Sequence, residues 1–387
     1  MAGPSFLGFE RPDGRMGVRN HLLVLAMAGL TGPGARRIGG AIAGAVTIVI
    51  PYGSGLIGRD REVYRAALRA LPAHPNVGAT LLLGDNPPLM AELAAAAEST
   101  KKPFAALTMD ACEQDALTMT ERGLRAGARM ARAISAARRV EAPLGALTLG
   151  LECGRSDPSS GLVANPLLGR IADRLVDAGG TAIIGETTEW LGAEHLLARR
   201  ARTPAVAEAV RAAAAAREAM AVAAGIDLTG NNPGPTNIAA GLSSIEEKSL
   251  GNIAKSGARP IEGVLGYGEP PARPGMWVMD APSYAPESLS GFVLAGAQMN
   301  LFTTGVGNSY VSALAPTVKL SANPVTTGRL AEQLDFDAAA VFRGAESAEN
   351  AAERLLACVL ELASGTASWG EILREGDEVI SRFGAAL

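Results

Sequence analysis

The feature that most constrains the fold of this chain is an alternation of short, fully apolar runs with longer helical segments. Each apolar run ends abruptly in a polar or Gly/Pro-containing phrase before the next helical pattern begins. The runs are 22–27, 46–50, 79–83, 104–109, 144–151, 181–184, 277–279, 301–304 and 317–320. Apolar strands that alternate with helices are typical of a parallel sheet covered by helices on both faces. The sequence therefore predicts an α/β fold.

A junction divides this pattern into two sets. The segment 137–143, ARRVEAP, follows a long Ala/Arg-rich helical pattern and carries both charges and a proline. We therefore predict two α/β domains, 1–140 and 141–387, each with a parallel sheet flanked by helices. Right-handed crossovers place the carboxyl ends of parallel strands along one edge of a sheet, and we expect an active-site cleft at those ends.

Composition excludes several classes of protein. Hydrophobic residues make up 48% of the 387 residues and the net charge is −4, which suits a globular protein and not a nucleic-acid or anionic-membrane binder. No run approaches the ~20 apolar residues of a membrane span, and the amino terminus lacks the apolar core of a secretory signal. Cys112, Cys153 and Cys358 are too scattered for a disulfide framework. We expect a reduced, cytoplasmic protein.

The strongest local signal for a site is the stretch 147–169, LTLGLECGRSDPSSGLVANPLLG. Its apolar run ends in Glu152 and Cys153, and the loop that follows supplies Ser156 and Asp157. Polar side chains at the carboxyl ends of parallel strands are where α/β proteins build sites. We therefore expect functional groups in this loop.

A second polar group follows the next strand. The run GETTEWLGAEHLL offers three carboxylates, from Glu186, Glu189 and Glu194, and the imidazole of His195. These groups suffice for a divalent metal or for acid/base chemistry. The alternative is structural, because acidic residues at helix starts are also favoured by the helix dipole, and for Glu194 and His195 that is the commoner outcome.

Two other segments are candidates for ligand contacts. Lys319 lies inside the apolar run PTVKLSAN, where an unpaired ammonium is costly, so we expect it to have a carboxylate or a ligand as its partner. The loop 230–237, GNNPGPTN, is rich in amides, including Asn232 and Asn237, and the capping-box pattern SSIE follows it. Such a loop before a helix can receive an anion.

Cationic and amide side chains also crowd the start of the first strand. Arg15, Arg19 and Asn20 precede it directly. A guanidinium binds a carboxylate through two parallel hydrogen bonds, so these residues could hold an acidic ligand. The alternative is that they clamp the amino-terminal segment onto its domain.

Several longer phrases occur together and in a fixed order. They are ERPDGRMGVRNHLLVL, LECGRSDPSSGLVANPLLG, GGTAIIGETTEWLGAEHLL, NNPGPTNIAAGLSSIEEKSLG, VMDAPSYAPESLSGFVLAGAQMNLFTTGVGN and PTVKLSAN. In this combination the chain resembles the altronate/galactarate dehydratase family along nearly its whole length. The resemblance implies a lyase that eliminates water, or sulfite, from a hydroxylated carboxylic acid to give a 2-keto acid. It also implies a divalent metal, iron(II) in the family dehydratases.

The resemblance also implies roles for particular residues. Cys153, Glu186 and His195 are the expected metal ligands or acid/base groups, and Lys319 is a further candidate catalytic residue. The residues expected to hold the hydroxy acid are Arg15, Arg19, Asn20, Ser156, Asp157, Asn165, Asn232, Asn237, Thr303 and Thr304.

The chain departs from the family where chemistry is expected. Relatives carry cysteines after the first three strands, where this chain has 27–29 (MAG), 52–55 (YGSG) and 84–86 (GDN). The family phrase CGGSDG reads CGRSDP at 153–158. Because thiolates favour iron and zinc, the lost cysteines change or abolish any metal site built there. Two functions stay open: a lyase with altered metal dependence, and a non-catalytic relative that binds an acidic ligand or scaffolds a partner.

The position of the first family phrase bears on partners. Single-chain relatives carry a small extra domain before the phrase that reads GFERPDGRMGVRN here, and in this chain that phrase starts almost at Met1. In the arrangement of the sulfolactate sulfo-lyase that small domain is a separate subunit. The resemblance therefore implies a separate small subunit, and we also expect a homo-oligomer.

Overall fold

The computed structural model describes residues 3–53, 55–228 and 230–384. The chain forms two compact units. The amino-terminal unit comprises Leu7–Ala142, Ala313–Ala315 and Asp377–Leu387, and the carboxyl-terminal unit comprises Met1–Phe6, Pro143–Ser312 and Pro316–Gly376.

Sixteen strands are present in the described residues. In chain order they are β1 (Ser5–Glu10), β2 (Met16–Gly17), β3 (His21–Ala26), β4 (Ala45–Val49), β5 (Val77–Gly84), β6 (Phe104–Thr108), β7 (Val140–Pro143), β8 (Thr148–Cys153), β9 (Thr181–Ile184), β10 (Ile261–Leu265), β11 (Gly275–Met279), β12 (Met299–Thr303), β13 (Val311–Ser312), β14 (Thr317–Ser321), β15 (Phe336–Asp337) and β16 (Gly376–Asp377).

The same residues form fourteen α-helices. They are α1 (Gly32–Ala41), α2 (Gly58–Ala73), α3 (Pro87–Glu98), α4 (Ala116–Ile134), α5 (Asn165–Asp177), α6 (Glu194–Arg199), α7 (Pro204–Ala223), α8 (Pro235–Ala239), α9 (Ile245–Ile253), α10 (Ala285–Leu294), α11 (Pro324–Arg329), α12 (Ala339–Phe342), α13 (Ala348–Ala363) and α14 (Trp369–Leu373). None of the described helices is long and apolar enough to cross a membrane.

The amino-terminal unit is built on a four-stranded parallel sheet in the order β4-β3-β5-β6. The two central strands are almost wholly buried, because their apolar side chains are covered on both faces. On one face, Leu22, Val24 and Leu81 pack against Ile38 of α1 and Met119 of α4. This packing gives the unit its own hydrophobic core.

The carboxyl-terminal unit is built on a seven-stranded sheet in the order β10-β11-β9-β8-β12-β14-β15. Every adjacent pair in it is parallel. Strand β8 pairs with β9 on one side and with β12 on the other, so the order of the strands reverses beside β8. In open α/β sheets, ligands bind at the carboxyl ends of the strands next to such a reversal. Cys153 and Thr303 lie at those two ends.

The structure confirms the predicted α/β class with parallel sheets flanked by helices. The details differ at some boundaries: 144–146 form a 3-10 turn, and the strand begins at Thr148. A Cβ atom on Gly145 would lie 2.0 Å from the carbonyl oxygen of Ala178, which indicates close backbone packing at this turn. The long Ala/Arg-rich helix α4 ends at Ile134, before the junction segment 137–143.

Candidate active site

The carboxyl ends of β8 and β9 bring together a thiol and two carboxylates. Cys153 ends β8, while Glu186 and Glu189 follow β9, and Glu189 lies in a 3-10 turn, Thr187–Trp190. The Cys153 Sγ and one carboxylate oxygen each of Glu186 and Glu189 all lie within 4.8 Å of one another. All three residues are buried. This is the only such group of three or more metal-capable side chains within the described residues.

The turn that carries Glu189 is fixed by its surroundings. Glu186 adopts a left-handed backbone conformation with φ 57°, which is rare for residues other than Gly and is often found at functional sites. Trp190 donates an indole hydrogen bond of 2.9 Å to the carbonyl of Gly185. Thr187 donates a hydrogen bond of 2.9 Å to Asp280, which follows β11. The turn that carries Glu186 and Glu189 is therefore fixed in part by a contact with the loop after β11, the neighbouring strand of the same sheet.

Two lysines from α9 and the turn after it contact the same cluster. The Lys255 Nζ lies 2.7 Å from Glu152 Oε2 and 3.3 Å from Cys153 Sγ. The Lys248 Nζ lies 2.6 Å from Glu189 Oε1. These lysines are seven residues apart, with Asn252 between them, so all three lie on one side of the helix and its continuation. Asn252 donates a hydrogen bond of 3.2 Å to the carbonyl of Glu189.

Several oxygens in the cluster are buried without a hydrogen-bond partner among the described residues. They are one carboxylate oxygen each of Glu152, Glu186 and Glu189, and the hydroxyl of Ser156. Buried polar atoms are nearly always satisfied, and leaving one unpaired is costly. A thiolate with carboxylate oxygens is a donor set that suits a divalent transition metal. The residues present therefore fit a metal centre.

The electrostatics of the cluster favour a cation or a proton. Burial raises the pKa of Glu186 well above its usual range, and the charges of Glu152 and Glu189 raise it further. Burial also raises the pKa of the Cys153 thiol. Burial lowers the pKa of Lys255, but the neighbouring thiol and carboxylates outweigh this, so its pKa is raised overall. Three clustered carboxylates thus face two ammonium groups, and one more positive charge balances them.

Predicted contact residues surround the cluster. Thr303 donates a hydrogen bond of 2.6 Å to the Oδ1 of Asn165, and Asn165 donates one of 2.9 Å to the carbonyl of Gly251. Asn232 donates a hydrogen bond of 3.3 Å to Glu189 and accepts one from Lys248. The structure thus joins Asn165 to Thr303, and Asn232 to the cluster itself.

The other predicted contacts in this unit stabilise loops at the same edge of the sheet. Asp157 accepts hydrogen bonds from Ser159 and Ser160 and one of 2.7 Å from Asn323. Asn237 donates one of 2.9 Å to the carbonyl of Ser156. The hydroxyl of Thr304 accepts one of 3.0 Å from the backbone of Gly307.

Two predicted catalytic residues lie outside the cluster. His195 is exposed near the start of α6, because that helix turns Leu197 and Ala198 inward. The structure therefore does not bring His195 to Cys153 and Glu186, and the third side chain of that group is Glu189. Lys319 is fully buried and forms an ion pair of 3.1 Å with Glu375, which confirms that it has a carboxylate partner.

The polar residues before β3 contact their own unit. Arg15 forms an ion pair with Asp13 and donates a hydrogen bond to the carbonyl of Ala73. Asn20 donates one of 2.9 Å to the carbonyl of Ile134, and Arg19 donates one of 2.8 Å to that of Val18. These contacts favour the interpretation of a structural clamp over that of a ligand site.

A cavity of about 570 Å³ lies at the carboxyl ends of β3 and β5 in the amino-terminal unit. Its lining includes Ala28, Gly53, Asp85 and Asn86, from the phrases 27–29, 52–55 and 84–86. Ser54, from the second of those phrases, lies outside the described residues. The lining described contains no thiol, and Cys112 of this unit is buried in the hydrophobic core.

Two models of known protein families match this chain, one over most of each unit. Residues 144–386 match the model of the D-galactarate/altronate dehydratase carboxyl-terminal domain. Residues 8–135 match that of the second domain of D-galactarate dehydratase/altronate hydrolase. The chain belongs to the D-galactarate/altronate dehydratase family.

Individual members of this family are similar over most of the chain. The (2R)-sulfolactate sulfo-lyase subunit beta of Chromohalobacter salexigens is 32% identical, over 99% of this chain and 98% of the relative. The altronate dehydratases of Bacillus subtilis and Escherichia coli are each 31% identical, over 93% and 94% of this chain respectively and 74% of each relative. The family prediction made from the sequence phrases is confirmed.

The cationic side of the cluster does not follow from any of the sequence phrases. Lys255 contacts Glu152 and Cys153 across more than a hundred residues of chain, so no local phrase connects them. One signal was present: Lys248, Asn252 and Lys255 recur at helical spacing where an apolar stripe is expected. Polar side chains on an inward helix face indicate partners in the interior.

Proposed function

We propose that this chain is a lyase that eliminates water or sulfite from a hydroxylated carboxylic acid, leaving a 2-keto acid. The observation that carries the proposal is the buried group of Cys153, Glu186 and Glu189, with its unpartnered oxygens, in a chain of the dehydratase family. The relatives are named as altronate dehydratases and a sulfolactate sulfo-lyase subunit. Their names supply the two candidate leaving groups.

Cys153, Glu186 and Glu189 are the proposed ligands of a divalent metal, and iron(II) is our first choice. The proton on the carbon next to a carboxylate is very weakly acidic, because its removal leaves a negatively charged enediolate. A metal bound here would supply positive charge that stabilises this enediolate. This set of ligands replaces His195 with Glu189 and keeps the other two residues predicted from sequence.

The chain's own residues would bind the substrate around this group. Lys248 is the partly exposed cation of the cluster, with 12% of its side chain accessible, and its ammonium can donate to a substrate carboxylate. Asn232, hydrogen-bonded to both Lys248 and Glu189, is placed to bind a hydroxyl group. Elimination transfers the α-proton to a basic group of the site and forms a double bond between the α- and β-carbons. The bond from the β-carbon breaks at the same time, and its oxygen leaves as water after accepting a proton, or its sulfur leaves as sulfite. The enol product then tautomerises to the 2-keto acid.

We also propose a small partner subunit. The chain spans 98% of a relative that is itself named as a subunit beta. Co-purification from the native host tests this proposal, since a stoichiometric small chain is expected in the active fraction. A single purified polypeptide with full activity would contradict it.

The function is tested by assaying 2-keto-acid release from aldonates, aldarates and sulfolactate, with Fe²⁺, Mn²⁺ or Zn²⁺ added. Elimination from at least one of these acids is expected, with sulfite appearing only if the carbon–sulfur bond is the one broken. Cys153→Ser should lose metal and activity, whereas the matched variant Cys358→Ser, whose thiol is far along the chain in α13, should keep both.

The second candidate is a non-catalytic relative that binds an acidic ligand. The absence of thiols from the described lining of the amino-terminal cavity favours it. This second function would be favoured if the protein, together with any co-purifying partner, binds an acidic ligand but neither binds a metal nor turns the ligand over.

A further inference from the structure

Glu152 is a carboxylate in the cluster that the group of three candidate ligands does not include. It directly precedes Cys153 at the end of β8 and is fully buried. Its Oε2 accepts a hydrogen bond of 2.7 Å from Lys255, while its Oε1 is buried without a hydrogen-bond partner among the described residues. Its charge also acts on Glu186. Glu152 therefore lies beside the three candidate ligands but outside the 4.8 Å that joins them, with one oxygen that Lys255 does not engage.

Lys255 is held rigidly in front of this carboxylate. It lies in the 3-10 turn Ala254–Ser256 that continues α9, and its side chain is inaccessible to solvent. A Cβ atom on Gly169 of α5 would lie 2.3 Å from the carbonyl oxygen of Ala254, so the helix packs directly on the backbone of this turn. Ser256 donates a hydrogen bond of 2.6 Å to the carbonyl of Ile253. The ammonium therefore cannot move away from Glu152 without repacking its surroundings.

A metal centre that acts on a substrate needs an open coordination position. Catalytic zinc sites commonly use three protein ligands and keep one position open, and iron(II) sites with three protein ligands keep more than one position open, so a fourth protein ligand takes a position from the substrate in either case. A charge-assisted hydrogen bond in a buried setting is strong, and a metal could take Glu152 only by leaving the Lys255 ammonium buried without its carboxylate partner.

We propose that Lys255 is a positioning residue that withholds Glu152 from the metal and so keeps a coordination position open for the substrate. The inference rests on the proposed metal-dependent function. Under this proposal Lys255 limits the number of protein ligands that the metal has, and this role is separate from any contribution of Lys255 to the stability of the fold.

The test is a comparison of metal binding by calorimetry and by the visible spectrum of the Co²⁺ form. In Lys255→Met, Glu152 loses its partner and is expected to join the metal. We expect Co²⁺ and Zn²⁺ to bind at least about tenfold more tightly, with a stronger, four-coordinate cobalt spectrum, and turnover to fall. Adding Glu152→Gln to this variant should return the affinity to within about threefold of the original. Unchanged or weaker binding in a folded Lys255→Met protein would overturn the proposal.

Two further variants keep the proposal testable if Lys255→Met does not fold. Glu152→Gln alone should leave metal affinity within about threefold, because Glu152 is not a ligand while Lys255 is present; a tenfold loss would overturn the proposal. Lys319→Met removes another fully buried lysine with a carboxylate partner and should leave metal affinity unchanged, whereas a similar gain in affinity there would contradict a specific role for Lys255.

Failure of this inference is distinguishable from failure of the proposed function. Metal binding and turnover by the unaltered protein, together with an unaffected Lys255→Met variant, reject the positioning role alone. Tighter metal binding by Lys255→Met, without turnover by the unaltered protein on any acid tested, supports the positioning role and rejects the lyase assignment.

Discussion

Arg155 occupies a backbone conformation that suits glycine. Its φ is 53°, in the left-handed region that favours glycine. Its carbonyl accepts hydrogen bonds of 3.2 and 3.3 Å from Gly305 and Val306, which fix the loop after β8 to the loop after β12. These bonds involve only backbone atoms, so they do not depend on the arginine side chain.

We therefore predict that Arg155→Gly stabilises the protein by up to about 1 kcal/mol, because relief of the left-handed strain exceeds the added entropy of the unfolded chain. Urea denaturation followed by circular dichroism measures the change. Arg122→Gly is the opposite control, since Arg122 lies inside helix α4 and the substitution should destabilise. A destabilised Arg155→Gly protein would show that the guanidinium makes a compensating contact.

Substitutions of Glu189 and of His195 test which of these two residues is a metal ligand. Glu189 is buried beside Cys153, and His195 is exposed on α6. Glu189→Gln should weaken metal binding by about tenfold or more, since it removes a charged ligand, whereas His195→Gln should leave the affinity unchanged. Calorimetric titration with Mn²⁺ or Co²⁺ distinguishes them, and the reverse ranking would restore His195 as a ligand.

At the scale of elements, the carboxyl end of β12 is joined to the start of α5 by one buried side-chain pair. Thr303 donates to Asn165 Oδ1 at 2.6 Å, and both residues are inaccessible or nearly so. Thr303→Val leaves that oxygen buried without its donor, which should cost about 1–3 kcal/mol of unfolding free energy. Thr303→Ser keeps the hydroxyl and should cost less. Equal losses in the two variants would assign the effect to packing.

The elements also show how far the sequence predicts the structure. Apolar runs such as 181–184 identify buried parallel strands directly, because both faces of those strands are covered. Strand β10 was missed because Glu262 and Gly263 interrupt its apolar pattern, and the Glu262 carboxylate is paired with Arg202 and Arg273. Sequence phrases predicted Cys153 and Glu186 as candidate ligands, and the structure places their side chains together. The lysines opposite this group come from α9 and its turn, and only the folded chain shows that pairing.

At the scale of the whole molecule, Lys102 makes stability depend on pH. Burial lowers its pKa to about 7, and the charges of Arg11 and Arg15 act in the same direction. In the unfolded chain this lysine keeps its proton up to its ordinary pKa of 10.5. Between these two values the unfolded state binds more protons, so the contribution of Lys102 to stability increases as pH rises from about 7 and levels off near 10.5.

We predict that raising the pH from 7 to 9 increases the unfolding free energy of the unaltered protein relative to that of Lys102→Met. Urea denaturation of both proteins at pH 7, 8 and 9 measures the difference. The Lys102 Nζ donates hydrogen bonds of 3.2 and 2.8 Å to the carbonyls of Pro72 and His74. The neutral amine keeps two N–H groups that can donate to both carbonyls, so the variant also loses a contribution that does not depend on pH. A difference that stays constant over this range would contradict the shifted pKa.

The central place of β8 in its sheet has a consequence for how the protein folds as it is synthesised. Strand β9 is available soon after β8, but β12 is not: Thr148 and the side chain that caps its backbone, Gln298, are 150 residues apart. Pairings over such separations are slow to form, and a strand edge that waits for its neighbour is open to wrong partners. Strand β8, which ends in Glu152 and Cys153, therefore emerges early from the ribosome, but its pairing with β12 forms late. Its open edge is where we expect chaperones to engage the nascent chain.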